Sequence, residues 1–193
     1  MNSVIKTTSL VLSGAICLIF QVAANSAPAE NTFSVPDLGI RYSPPTGMQD
    51  RTSSANKAAR SHAASYTGNA LNLLLNMSSL EPDNAPDWHQ MMVVAYPRAH
   101  WSNLADSEAE KKLNTLLAGR RAIPASKPQS TTLAGHKFVV SDFEQKEPPL
   151  LKHAEIFTTI CKTQLVSFVL VSNSSAQVSF MEESLKTLDF SSH

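Results

Sequence analysis

The chain has 193 residues, and its 16 Lys and Arg balance 16 Asp and Glu, so it carries no net charge at pH 7 with His neutral. That balance, without a basic stripe interleaved with aromatics, removes the electrostatic footprint of a nucleic-acid binder. Two cysteines and six scattered glycines leave neither a disulfide framework nor a glycine-rich phosphate loop.

Residues 1–29 have the three-part layout of a secretory signal peptide. Lys6 gives the positive start, Leu10 to Val22 the apolar run, and Ala23-Ala24-Asn25-Ser26-Ala27-Pro28-Ala29 the small residues a signal peptidase accepts. Cleavage fits after Ala24, Ser26 or Ala29. The alternative is an uncleaved anchor, but the run falls short of the about 20 apolar residues that cross a bilayer. The bulky Ile16 before Cys17 opposes lipid attachment, so Cys17 is expected to leave with the signal. Export to a periplasm or the medium follows, with no stable membrane span afterwards. What remains, 30–193, is long enough for one α+β domain with its own core, and 30–36 reads as a mobile lead-in. Cys161 then has no internal disulfide partner and is expected to be a buried, inert thiol.

Along the domain, Leu38-Gly39-Ile40-Arg41-Tyr42 alternates as a short strand and stops at Pro44-Pro45, with a turn at Gly47. Ser53 to Ala64 spaces small residues as a helix with a thin alanine face, or as an ordered loop. Asn69 to Ser79 is near-continuously apolar, as a strand covered on both faces or a buried helix turn is, and Trp88 to Tyr96 reads as a strand near the middle of a sheet. Ser107 with Glu110 forms a capping box, followed by Ala109, Leu113, Leu116 and Leu117 on one face and Gly119 past the end. Glu108 and Lys112 are spaced to pair. Ile123 to Thr132 is a Pro- and Ser-rich connection. His136–Gln145, Lys152–Lys162 and Gln164–Ser172 are strands, the last two an antiparallel hairpin whose Lys162-Thr163 turn lacks the usual Asn-Gly pair. Ser174 with Gln177 opens a second capped helix, whose stripe is Val178, Met181, Leu185 and Leu188.

This order of elements resembles the PsbP-like αβα sandwich, an antiparallel sheet flanked by helices. The group includes an extrinsic photosystem subunit, a nuclear Ran-binding protein and bacterial envelope proteins of the DcrB type. The likeness rests on Leu38-Gly39-Ile40-Arg41-Tyr42-Ser43-Pro44, on Leu133-Ala134-Gly135-His136-Lys137-Phe138, and on the closing hairpin and helix with Ser184-Leu185-Lys186-Thr187-Leu188. Met48 stands where many relatives have a tryptophan, and residues 50–68 have no clear counterpart. The resemblance implies a non-catalytic accessory or partner-binding protein without cofactor, serving an envelope or secreted partner. It transfers no metal ligands.

Chemistry-bearing residues are sparse. The six histidines lack paired-ligand spacing, so no metal site is expected. Asp142 and Glu144 share a strand face, a spacing open to acid–base work but commoner at a solvated edge. No catalytic residue is assigned. Asn76-Met77-Ser78 and Asn173-Ser174-Ser175 match glycan acceptors, the first inside a strand and the second at a helix start. The segment Tyr96-Pro97-Arg98-Ala99-His100-Trp101 groups residue types that concentrate binding energy, so Tyr96, Arg98, His100 and Trp101 form the candidate partner- or ligand-binding site. The competing reading of that loop is a plug over the sheet edge. The alternative function is a small exported hydrolase or metal-dependent enzyme using His89, His100 or His136.

Overall fold

The computed structural model describes residues 32–61, 70–147 and 150–190, so the expected signal peptide lies outside the described residues. The chain runs β1 (Phe33–Val35), β2 (Ile40–Tyr42), β3 (Gln49–Asp50), α1 (Thr52–Ser61), β4 (Asn72–Ser78), β5 (His89–Pro97), α2 (Asp106–Ala118), β6 (Ile123–Pro124), β7 (Gln129–Leu133), β8 (His136–Glu147), β9 (Leu150–Cys161), β10 (Gln164–Ser172), α3 (Ser175–Ser184) and β11 (Asp189–Phe190). An eight-stranded antiparallel sheet has the order β3-β4-β5-β10-β9-β8-β6, with β7 also on β8, and a small sheet has the order β1-β2-β11. The fold class is α+β, as expected.

The hairpin β9–β10 forms the centre of the sheet. Cys161 pairs with Gln164, and Phe157 with Phe168. Its loop is Lys162-Thr163, with Lys162 at φ 55°, the left-handed geometry that two-residue hairpins need even without glycine. Alternation then sends two apolar sets to opposite faces. Phe138, Phe157, Phe168, Met91 and Val93 join one core cluster, whereas Ile156, Val169, Val94 and Phe143 join another.

The first face is closed by α3 and the small sheet. Val178, Met181, Leu185 and Leu188 are all buried there, as the stripe predicts. Burying the four contributes on the order of 6–10 kcal/mol before entropy is deducted. Tyr42, on β2, is fully buried. Its hydroxyl donates to Met91 Sδ at 2.8 Å and shares a 2.5 Å hydrogen bond with Ser184 Oγ, and its ring meets Phe168 edge-on at 5.7 Å. Burial holds that phenol well above its ordinary pKa.

The second face is covered by α2, and here the interface is partly polar. Asn114 is fully buried. Its Nδ2 donates to Val139 O (3.2 Å), Ser141 Oγ (2.9 Å) and Ile156 O (3.2 Å). Its Oδ1 accepts from Thr158 Oγ1, which pairs with Ser167 Oγ at 2.5 Å. One amide thus ties the helix to β8 and β9 directly, and to β10 through Thr158. At the opposite edge α1 runs beside β4, where Asn76 N donates to Thr52 Oγ1 (2.9 Å) and Asn56 Nδ2 donates to Leu73 O (3.3 Å).

Several expectations are corrected. The lead-in over 30–36 is folded from Phe33 onward, because Phe33 and Val35 pair with Tyr42 and Ile40. The strand expected from Leu38 begins at Ile40, since Pro36–Leu38 form a 3-10 turn that ends on Gly39 at φ 69°. The connection expected over Ile123–Thr132 contains two short strands: Ile123 and Pro124 face Glu144 and Phe143, and Gln129–Leu133 lies against Val140–His136. β8 is 12 residues long, so its free edge has room for both. Pro124 is tolerated there because an edge strand needs fewer donors.

The α2 cap is shifted as well. The helix starts at Asp106 after Ala105, which has no side-chain acceptor, and only Glu108 reaches back, accepting from Ala105 N at 3.3 Å. Glu110 faces inward and is buried, so it cannot close a box with Ser107. Leu116 points to solvent at 52 % exposure, and its expected place on the inner face is taken by Asn114. Lys112 turns from Glu108 to the Trp101 ring, 5.2 Å away. Ser174 is the N-cap of α3, but its side chain makes no capping bond; Ser172 Oγ instead accepts from Ser174 N at 3.0 Å. Part of the expected Ser53–Ala64 segment, 62–64, lies outside the described residues.

Candidate functional site

β5 ends at Pro97, whose missing N–H terminates pairing, and Arg98–Trp101 wind into a 3-10 turn before α2. The turn brings the candidate residues together. Tyr96 and Trp101 stack with centroids 4.6 Å apart, and the His100 ring lies 5.2 Å from Tyr96. Both aromatics pack against the buried cluster of Ala109, Leu113 and Leu165 beneath α2. His100 is exposed, and Tyr96 and Trp101 are half-buried.

Arg98 does something different from its neighbours. Its guanidinium donates to the carbonyl of Trp101, to Leu104 O (2.6 Å) and to Asp106 Oδ1 (3.0 and 3.1 Å). Its N–H donates to Thr163 O at 3.0 Å, tying the turn to the β9–β10 loop. Every guanidinium nitrogen is thus used inside the protein. Arg98 braces the plate that Tyr96, His100 and Trp101 present to solvent.

Below this brace sits Glu110, which the sequence places only in a cap. It is 7 % exposed, with no hydrogen-bond partner for its carboxylate among the described residues. Burial, reinforced by Asp106, raises its pKa from 4.5 to about 7 against the pull of Lys137 and Arg98. The signal for it was the polar stripe Asp106, Glu110, Asn114 at four-residue spacing, running beside the apolar one.

The histidines of the enzyme alternative stand in three places. His89, at the start of β5, bonds the Asp87 carbonyl through Nδ1 at 2.8 Å and meets Phe180 edge-on. His100 lies past the other end of that strand. His136, at the start of β8, stacks on Phe190 at 4.0 Å. Among the described residues no three His, Cys, Asp or Glu side chains are grouped to hold a metal ion. Asp142 accepts from Ser126 Oγ at 2.6 Å, and Glu144 lies 4.0 Å from His153 Nδ1. Asp142 also faces Glu155 across the strand pair. Burial first, then Glu182 on α3 and Asp142, raises the Glu155 pKa to about 7.

Cys161 is buried in the main core, and that burial lifts its thiol to about 11. Both glycan-type asparagines have their amides engaged. Asn76 Oδ1 accepts from Gln90 Nε2 at 2.7 Å, and Asn173 Nδ2 donates to Asp83 O and Ala85 O at 2.9 and 2.7 Å. No helix among the described residues is long and apolar enough to cross a membrane.

No protein-family model and no curated protein matches this sequence. Solved structures do. A Bacteroides thetaiotaomicron protein is 10 % identical with a TM-score of 0.48; the match covers 84 % of this chain, which spans only 48 % of that one. The yeast Ran-binding protein Mog1p of Saccharomyces cerevisiae is 9 % identical, with a TM-score of 0.47, over 79 % of this chain and 90 % of that one. The cyanobacterial PsbP of Synechocystis, CyanoP, is 12 % identical with a TM-score of 0.56, over 88 % of this chain and 98 % of its own. The chain therefore has the PsbP-like fold, an antiparallel sheet between helices.

Proposed function

We propose that this protein is an exported, non-catalytic accessory domain that binds a partner protein of the envelope or the secreted fraction through the Tyr96, His100 and Trp101 plate. The observation that carries the reading is the Arg98 brace. Its bonds to Trp101, Leu104 and Asp106 hold two large aromatics in one orientation before any partner arrives. A surface ordered in advance loses less entropy on binding, and aromatics are the side chains most often central to interfaces. Export is supported by the layout of residues 1–29; mass spectrometry of the purified N-terminus is expected to find cleavage after Ala24, Ser26 or Ala29.

The binding reading is tested by placing a photocrosslinking residue at position 100, and as a control at Ser130, which is exposed on β7. A discrete adduct from position 100, absent from position 130, is the expected result. Identical adducts from both positions, or none from position 100, would overturn it.

A further inference from the structure

At the other end of α2 the sheet is left partly bare. The chain leaves the helix at Gly119, turns with Ala122 N donating to Gly119 O at 3.3 Å, and enters β6 at the sheet edge. Behind that turn lies an open recess of about 80 Å³. Its floor is Met92, Ala154, Val169 and Val171, and its wall is Leu117 and Ala122. Leu116 and Ile123, next in sequence to the lining residues Leu117 and Ala122, are 52 % and 60 % exposed. Apolar surface gathered around a concavity marks a contact site more often than scattered surface leucines do.

The charges around it are unequal. Arg120 and Arg121 occupy the turn between two lining residues, Ala118 and Ala122, and both are exposed. Neither guanidinium has a hydrogen bond or ion pair among the described residues. Lys152 reaches the rim and lies over the Trp88 ring at 5.3 Å. Glu144 is the one carboxylate of the lining, and His153 stands beside it. Among the described residues, two arginines without an ion pair thus stand on the turn beside an apolar hollow whose lining holds a single carboxylate. The contrast with Arg98 is direct, because that arginine spends its donors internally and these two spend none.

We propose that this recess docks an extended segment of a partner protein, in which one or two aliphatic side chains are flanked by acidic residues. The hollow has room for a branched aliphatic group, whereas small-molecule sites run to roughly 300–1,000 Å³. A bilayer surface suits protruding apolar side chains better than a recess, so the concavity favours a peptide. The two arginines supply planar donors matched to carboxylates. This surface is separate from the aromatic plate, and either can fail without the other.

The test titrates the protein with a fluorescein-labelled Asp-Glu-Leu-Leu-Asp-Glu peptide, read by anisotropy and by amide shifts in 1H–15N spectra. Expected are saturable shifts at Ala122, Ala154 and Val171, and at least tenfold weaker binding for the double variant R120E/R121E. A peptide with both leucines replaced by serine should lose binding to a similar degree. A second variant, Ala122→Phe, fills the hollow and should abolish the shifts; the charge variant stands alone if this one does not fold. Equal binding by R120E/R121E would overturn the proposal. So would binding to anionic phosphatidylglycerol vesicles without binding to the peptide, or self-association through this face in sedimentation.

Discussion

The two faces of the large sheet are held down by different physics. Beneath α3 and the small sheet the contact is mainly a large apolar cluster, into which the Tyr42 hydroxyl is also buried. Beneath α2 a shorter apolar list is supplemented by an amide that bridges two strands directly and a third through Thr158. Hydrophobic contact is non-directional and tolerates small slips, whereas a buried hydrogen-bond set is costly to leave unmade and permits one arrangement. One face is therefore secured mainly by area, the other mainly by geometry.

The largest expected break is on the first face. Leu185→Asp puts a charge at a site 1 % exposed and should cost more than about 4 kcal/mol, enough to unfold most of the protein at 25 °C. An unchanged thermal midpoint would remove α3 from that core. Next, Asn114→Ala removes the amide partner of the Ser141 and Thr158 hydroxyls and of the Val139 and Ile156 carbonyls under α2, and should cost about 3 kcal/mol in denaturant unfolding. Asn114→Leu should be no better. If it is neutral, the second face is apolar in effect and the contrast disappears.

A pH series sharpens the comparison, since each face carries a raised carboxyl, Glu155 beneath α3 and Glu110 beneath α2. In both, the folded pKa lies above the unfolded one, so the native state retains a proton that the unfolded chain has released. That stability is fully present below pH 4.5 and is lost as pH rises to about 7. The slope is up to about 1.4 kcal/mol per pH unit for each group. Melting curves from pH 5 to 7 should show the midpoint falling with pH. Glu110→Gln and Glu155→Gln should each flatten part of the slope, and a slope untouched by both variants would refute the assignment. The smallest effect belongs to Tyr42→Phe, about 1–1.5 kcal/mol for the lost hydroxyl bonds, read as a lower midpoint with the fold retained. A loss as large as that of Leu185→Asp would mean the first face depends on a polar contact as well.

The first face was the legible one. Alternation at Phe157, Phe168 and Leu170 and the spacing of Val178, Met181, Leu185 and Leu188 are periodic signals, and the structure buries all of these residues. Short edge elements were not legible. Phe33–Val35, Ile123–Pro124 and Asp189–Phe190 are two or three residues long, too short for a periodic signal, and the last two exist through partners far away in sequence. Asn114 escapes because an asparagine in mid-helix reads as a solvated position until β8 and β9 supply its partners. Leu116 misleads in the opposite sense: its apolar character predicts burial, and the structure leaves it exposed. In the candidate site, grouping Tyr96, Arg98, His100 and Trp101 was readable from adjacency, but Arg98's inward role was not. It depends on where the carbonyls of Trp101 and Leu104 point.

Asn114 has one more consequence. A helix seated on greasy contacts alone can rock or turn by a few degrees at little cost. This 13-residue rod is keyed through a single amide to two neighbouring strands, β8 and β9. Its azimuth and depth are set together, so the aromatic tip and the arginine-bearing tip stay at one separation and one angle, like the jaws of a locked caliper.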